Sequence, residues 1–119
     1  MYGVEIELMH ADTETNVAVA RARAEKLIND GAQVLVGPFD SGAASAIAQV
    51  AEQRKVPFIV NIAAAPQITE QGYKYTVRNF PTAVDLTRNG LGLMRDIFQS
   101  TSTAPRSAVF MHVNDTFGT

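Results

Sequence analysis

Apolar runs typical of β-strands alternate along this chain with longer Ala-rich stretches in which apolar residues recur at helical spacing. The runs predict strands at residues 4–9, 34–36, 56–60, 75–77 and 108–111. The first run alternates apolar and acidic residues like a half-exposed strand, and the second is continuous like a strand covered on both faces. The longer stretches predict helices at residues 16–29, 41–54 and 82–98, the third with Leu86, Leu93, Met94 and Ile97 on one side. This alternation predicts an α/β fold with a parallel sheet and right-handed crossovers.

In such sheets, ligands bind just beyond the carboxyl ends of the strands, which selects the loops at residues 37–42, 61–66 and 112–118. In the first loop Ser41 is predicted to cap the second helix. The amides of Gly42, Ala43 and Ala44 are then unpaired donors at a positive dipole end, which favours a carboxylate or another anion. Without a ligand, the same Ser is a plain N-cap that contributes about 1 kcal/mol. The two roles are compatible.

The second loop, residues 61–66, has no ionisable side chain. It offers a ligand only main-chain N–H and C=O groups and the amide of Asn61, and its three consecutive alanines permit close approach to the backbone. The alternative is a small-residue turn that packs under a neighbouring element.

Composition excludes several classes of function. The chain has 119 residues, a net charge of −2 and no Cys. Its ten Lys and Arg are spread along the chain, with only Arg54 and Lys55 adjacent, which argues against binding to nucleic acid or to anionic membranes. The absence of Cys excludes a thiolate zinc site and a thiol nucleophile. The longest apolar stretch is far shorter than the ~20 residues of a membrane span.

The sequence contains little that points to catalysis. Ser41 lacks the flanking glycines of a nucleophile elbow. A serine hydrolase that combines Ser41 with His10 or His112 is conceivable, although nothing specifies its geometry. His10, Asp12 and Glu14 are spaced like metal ligands, but they also suit a solvated turn. No Gly-rich phosphate motif follows a strand, so we expect no enzyme, no metal site and no cofactor.

Several runs, in their order and spacing, resemble a known family. They are Asp12–Gly31 with its Asn16-Val17-Ala18-Val19-Ala20, Val34–Gly42 with its Gly37-Pro38-Phe39-Asp40-Ser41, Ala51–Ile59, Pro66–Tyr73, Arg78–Pro81 and Val109–Gly118. Together they resemble the type I periplasmic binding proteins, and more closely the branched-chain amino-acid-binding (leucine/isoleucine/valine-binding-like) substrate-binding subunits of ABC importers. The resemblance implies a three-layer α/β sandwich with a flavodoxin-like parallel sheet. It also implies binding without chemistry.

The resemblance also implies a set of ligand-binding residues. Ser41, with Gly42 beside it, would hold a ligand carboxylate, and Ala63 and Ala65 would supply main-chain groups. Phe117 would line the pocket, and Phe39 would form a second apolar wall. A Thr or Ser hydroxyl that the family often has in the second loop is replaced here by Ala64 or Ala65. That replacement favours a carboxylate on a hydrophobic or aromatic body over an α-amino acid.

Relative to this family, residues 1–119 resemble part of an N-terminal lobe that lacks its first strand and helix. Met1 is followed by Tyr2 and Gly3 and not by a signal segment, and we expect it to be an artificial or misplaced start. The missing strand leaves sheet edges unpaired. We therefore expect residues 4–9 to pair directly with residues 34–36, or the chain to associate into a homo-oligomer through these edges.

The function that the resemblance implies is capture of a small organic carboxylate in the periplasm, between two lobes, and delivery to a membrane permease. A fragment of one lobe is expected to bind weakly or not at all. A ligand-sensing receptor domain of the same fold is the alternative, and neighbouring sequence with a membrane helix or regulatory domain would distinguish it.

Overall fold

The computed structural model describes residue 3 and residues 5–118, and the expectations for Met1, Tyr2, Val4 and Thr119 fall outside these residues. The described chain contains helices α1 (Val17–Asn29), α2 (Ser41–Arg54) and α3 (Ala83–Thr101), strands β1 (Leu35–Val36), β2 (Phe58–Val60) and β3 (Thr76–Arg78), and a short 3-10 turn at Pro66–Ile68. The three predicted helices are confirmed to within a few residues at each end. Three of the predicted strands are also present, each shorter than or offset from its prediction.

The three strands form one parallel sheet in the order β1-β2-β3. Phe58 lies at its centre, in register with Leu35 on one side and Thr76 on the other. Because every neighbouring pair is parallel, the carboxyl ends of the strands meet at one edge of the sheet. The predicted α/β class with a parallel sheet is therefore confirmed.

The core lies between the sheet and the pair formed by α1 and α2. Helix α2 buries eight residues, five of them alanines, and α1 contributes Ala20 and Ala24. The largest completely buried side chains are those of Phe58, Val60, Val50 and Ile68. Since alanine side chains are short, the two helices approach each other closely and the larger side chains of the sheet fill the remaining space.

Helix α1 begins and ends where its sequence predicts. Asn16 is the N-cap, and its side-chain oxygen accepts hydrogen bonds from the amides of Ala18 and Val19. Beyond the last turn, Gly31 has φ = 105°, a left-handed conformation that glycine adopts at little cost.

Two predicted strands are wrong. Residues 5–9 and 108–111 contain no strand, and their apolar side chains are open to solvent, with Leu8 74% and Phe110 93% exposed. The direct pairing expected between residues 4–9 and 34–36 is not formed by the described residues. A strand requires a neighbour that supplies hydrogen bonds and a layer that covers one face. Neither segment has them here.

The expectation that β1 is covered on both faces is also wrong. Leu35 is buried against α1 and α2, whereas Val36 is 65% exposed. Val77 of β3 is also exposed. In the described residues, α3 buries none of its side chains, so its apolar side does not cover this face of the sheet.

Helix α3 is nonetheless well capped. Thr82 is its N-cap, and Thr82 and Asp85 form a capping box in which each side chain accepts a hydrogen bond from the other residue's backbone amide. Local hydrogen bonds of this kind stabilise a helix start without tertiary packing.

Candidate functional site

The start of α2 differs from its prediction. Asp40, and not Ser41, is the N-cap, and its Oδ1 accepts a hydrogen bond from the Ala43 amide at 2.6 Å. The Asp40 carbonyl accepts from the Ala44 amide at 2.9 Å. Two of the three amides that we expected to be unpaired are therefore bonded to Asp40. Asp and Ser are similarly good N-caps, so the sequence could not decide between two such residues in a row.

Ser41 instead joins the first two predicted loops. Its side chain is buried, with 3% of the residue exposed, and its Oγ accepts a hydrogen bond from the Ala65 amide at 3.4 Å. A hydroxyl can accept and donate at once, so its hydrogen remains able to bond a further acceptor. Ser41 is thus placed at the carboxyl-end edge of the sheet, in contact with the loop that follows β2.

The three alanines of that loop are buried, and each of their carbonyls accepts a hydrogen bond from the protein. The guanidinium of Arg78 donates through Nη1 to the Ala63 carbonyl and through Nη2 to the Ala65 carbonyl, the latter at 2.7 Å. The Ala83 amide donates to the Ala64 carbonyl at 2.8 Å. The loop is therefore fixed from the end of β3 and from the start of α3.

Arg78 is the residue of this site that the sequence did not reveal. It is the last residue of β3, half-buried, and its Nε lies 3.5 Å from Thr69 Oγ1. Burial lowers the pKa of its guanidinium, whereas the carboxylate of Glu70 raises it. An arginine remains charged at physiological pH despite such a shift. The available signal was an Arg at the carboxyl end of a strand, but the predicted strand stopped one residue short of it.

The position of β3 depends on a carboxylate of α2. Oε2 of Glu52 accepts hydrogen bonds from the amides of Lys74 at 2.9 Å and of Tyr75 at 3.0 Å. These two bonds connect the last turns of α2 to the start of the strand that carries Arg78. Both Ser41 and Arg78 are therefore held on elements that are bonded to one another.

The third predicted loop reaches the same helix start. A Cβ atom built on Gly42 would lie 3.2 Å from Val17 Cγ2 and 3.5 Å from Thr116 Oγ1, so there is little space for a side chain at this position. Within the loop, Asp115 Oδ1 accepts from the amides of Phe117 and Gly118. The structure thus brings Thr116 of this loop next to the start of α2.

The two predicted aromatic walls are open to solvent. Phe39 is 80% exposed and Phe117 is 52% exposed. Ala63 and Ala65, by contrast, are each 1% exposed.

Two further features, a buried amide oxygen and a groove, lie outside the contacts described above. The Asn61 side-chain oxygen is buried at the end of β2 and has no hydrogen-bond partner within the described part of the chain. A groove of about 240 Å³ lies beside β1, lined by α1 residues and by Leu35, Ile47 and Phe58. None of the six predicted site residues lines this groove.

A hydrolytic arrangement is not favoured by these contacts. The hydrogen-bond partner that the structure gives the Ser41 hydroxyl is a backbone amide, and His112 Nδ1 lies 3.2 Å from the neighbouring Val113 carbonyl. In residue 3 and residues 5–118, no three acidic or histidine side chains converge to hold a metal ion. The same described residues contain no helix long and apolar enough to cross a membrane.

Comparison with known proteins establishes the family. The family model described as "Periplasmic binding protein" matches residues 1–119, the whole sequence. The chain therefore belongs to the periplasmic binding protein family, whose members bind substrates for transport. Comparison with curated proteins finds no match.

Solved ABC transporter substrate-binding proteins share the fold. One from Desulfitobacterium hafniense, in complex with Leu, has a TM-score of 0.71 at 22% identity and covers 76% of this chain. A solute-binding protein from Rhodopseudomonas palustris HaA2, in complex with p-hydroxybenzoic acid, has a TM-score of 0.67 at 29% identity and covers 74%. Another from R. palustris, in complex with 4-hydroxybenzoate, has a TM-score of 0.56 at 32% identity and covers 61%.

The chain is much shorter than these structures. It spans 28%, 24% and 20% of their lengths, in the same order. The α/β architecture described above corresponds to a fragment of one half-lobe of that fold.

Proposed function

We propose that this chain forms part of the N-terminal lobe of a substrate-binding protein of an ABC importer. The whole protein captures a small organic carboxylate between two lobes in the periplasm and delivers it to a membrane permease. The family match over residues 1–119 supports the transport role. The ligands named for the solved relatives, leucine and hydroxybenzoate, are both small organic carboxylates.

The observation that carries the proposal for the site is the contact between Ser41 and the loop held by Arg78. A buried hydroxyl with a hydrogen to donate and a guanidinium are brought to the carboxyl-end edge of a parallel sheet. This is the edge at which such sheets bind ligands. Hydrogen-bond donors and a positive charge suit a carboxylate, because charge-assisted hydrogen bonds are the strong ones.

On this proposal Phe39 and Phe117 contact the apolar body of the ligand, and Gly42 allows Val17 and Thr116 to pack against the start of α2. Most of the burial comes from closure of the second lobe over the ligand. The 119-residue chain alone then leaves one side of the ligand in water, and we expect weak binding or none.

The test is calorimetry on the two-lobe protein that contains this chain, with 4-hydroxybenzoate and L-leucine as ligands. Ser41→Ala should weaken binding by roughly tenfold to a hundredfold, the value of a hydrogen bond to a charged group. Ser45→Ala is the matched control, because it makes the same change one turn further along α2. If neither ligand binds, or if Ser41→Ala binds as tightly as Ser45→Ala, the proposed site is wrong.

A further inference from the structure

The middle of α3 contains a pair of residues that nothing packs against. Of the six asparagines in the sequence, Asn89 is the one that is followed by glycine. Asn89 and Gly90 are both exposed, and in the described part of the chain the Asn89 side chain has no hydrogen-bond or ion-pair partner. A Cβ atom built on Gly90 would meet no atom within 4 Å, so no close packing requires this glycine.

The chemistry open to this pair is attack of a backbone nitrogen on a side-chain amide. The Gly90 nitrogen, after losing its proton to hydroxide, bonds to Cγ of Asn89, and the side-chain nitrogen takes a proton from water and leaves as ammonia. A second water molecule then adds to either carbonyl of the cyclic imide and opens the ring, which leaves aspartate or isoaspartate at position 89. Glycine favours this reaction because it has no Cβ beside the attacking nitrogen and the widest choice of backbone conformations.

A closed helix opposes the reaction. The Gly90 amide belongs to the hydrogen-bond ladder of α3, and the backbone of Asn89 is held in the helical conformation. The turn around the pair must therefore open before the nitrogen reaches Cγ. The rate of the reaction depends on how often α3 opens at this point.

The structure indicates that this opening is frequent. In the described residues α3 buries none of its side chains, whereas most of the stability of a helix in a protein comes from tertiary packing. Gly90 and Gly92 lie in its middle, where glycine is the least favourable residue after proline. The capping box and the hydrogen bond from the Ala83 amide to the Ala64 carbonyl are at the first turn, away from the pair.

We propose that Asn89–Gly90 is a site of spontaneous deamidation in this 119-residue chain, controlled by local opening of α3. The product carries a negative charge four residues from Asp85, and like charges at this spacing repel each other on a helix. Isoaspartate also adds a methylene group to the main chain, which interrupts the hydrogen-bond ladder. The modification thus makes the opening of α3 irreversible. It does not involve the proposed ligand site.

The experiment incubates the 119-residue chain at neutral pH and follows each asparagine by peptide mass spectrometry, with chromatographic separation of aspartate from isoaspartate. Asn89 should convert before Asn114, which is also exposed but is followed by Asp115. Gly90→Ala should slow the conversion at position 89 by at least about fivefold, because alanine both hinders the attack and favours the helix.

Two further variants leave the pair intact and change only the stability of the helix. Gly92→Ala should slow conversion about fivefold, the factor by which alanine favours a helix over glycine, and a Cβ atom at this position meets nothing within 4 Å. Thr82→Ala removes the N-cap and should accelerate conversion about fivefold. Hydrogen exchange of the α3 amides should change by the same factors, while conversion of Asn114, the internal control, stays constant.

Each outcome decides the inference. Failure of Asn89 to convert before Asn114 would overturn the assignment of the site. Equal rates in the unmodified chain, Gly92→Ala and Thr82→Ala would overturn control by the opening of α3. Undiminished conversion in Gly90→Ala would overturn the role of the glycine.

Discussion

Replacing Asp40 tests which residue begins α2, the central helix of the core. The Asp40 carboxylate accepts from the Ala43 amide at 2.6 Å, a short charge-assisted contact. Loss of an N-cap costs about 0.5–2 kcal/mol, and a contact this short belongs in the upper half of that range. We therefore expect Asp40→Ala to lower the free energy of unfolding by about 1.5 kcal/mol.

Asp40→Asn divides this effect into two parts. Asn keeps a side-chain oxygen for the Ala43 amide and loses only the interaction between the negative charge and the helix dipole, which is worth about 0.3–1 kcal/mol. We expect a loss of about 0.5 kcal/mol. Asp96→Ala is the control, because it is the same substitution at a residue of α3 whose side chain is 67% exposed.

The assay is urea-induced unfolding of the chain, followed by circular dichroism. The midpoint should move to lower urea while the slope stays constant, because a cap changes stability without changing the area exposed on unfolding. A loss below about 0.5 kcal/mol for Asp40→Ala, or equal losses for Asp40→Ala and Asp96→Ala, would refute the assignment of Asp40 as the cap.

Three further outcomes are expected. Phe58→Ala removes a completely buried side chain at the centre of the sheet and should lower the free energy of unfolding by about 3–5 kcal/mol in the same urea assay. A loss under about 2 kcal/mol would contradict the role of Phe58 in the core. Leu93→Ala should change stability by less than about 0.5 kcal/mol, because Leu93 is 63% exposed on α3; a larger loss would show that α3 packs against the sheet. The Thr82 hydrogen bonds lower the pKa of Asp85 below its ordinary 3.8, so the stability they contribute is present above that pH and is lost as the pH falls through the lower, folded-state pKa. Thr82→Ala should return the pKa of Asp85 towards 3.8 in an NMR titration of its carboxyl group; an unchanged pKa would contradict this cause.

The site and the fold depend on the same few contacts. Glu52 holds the start of β3, β3 carries Arg78, and Arg78 fixes the loop whose Ala65 amide meets Ser41. Each of these contacts joins residues more than ten positions apart. A change in any of them is therefore expected to move the loop as well as the strand.

The helices were predictable because their signals are local. Asn16 and Thr82 cap the helices that follow them, and Gly31 adopts a left-handed conformation just after α1. The order of strands and helices was enough to predict a parallel sheet, since crossovers of that length leave few other arrangements. Parallel sheets bind ligands beyond the carboxyl ends of their strands, and this second rule selected the edge where Ser41 and Ala65 meet.

Tertiary contacts were needed for the rest. Residues 5–9 and 108–111 have strand-like sequences, but a strand forms only where another strand and a covering layer are present, and they have neither. The local sequence does not determine that Asp40 and not Ser41 caps α2, because both residue types suit the position. Arg78 begins the family-like run Arg78–Pro81, but the sequence assigned it no role, and its hydrogen bonds to the Ala63 and Ala65 carbonyls are seen only in the folded chain. Periodicity and capping act over a few neighbouring residues, so they can be recognised in the sequence alone. Strand pairing and the partners of a buried charge depend on which distant residues the folded chain brings into contact.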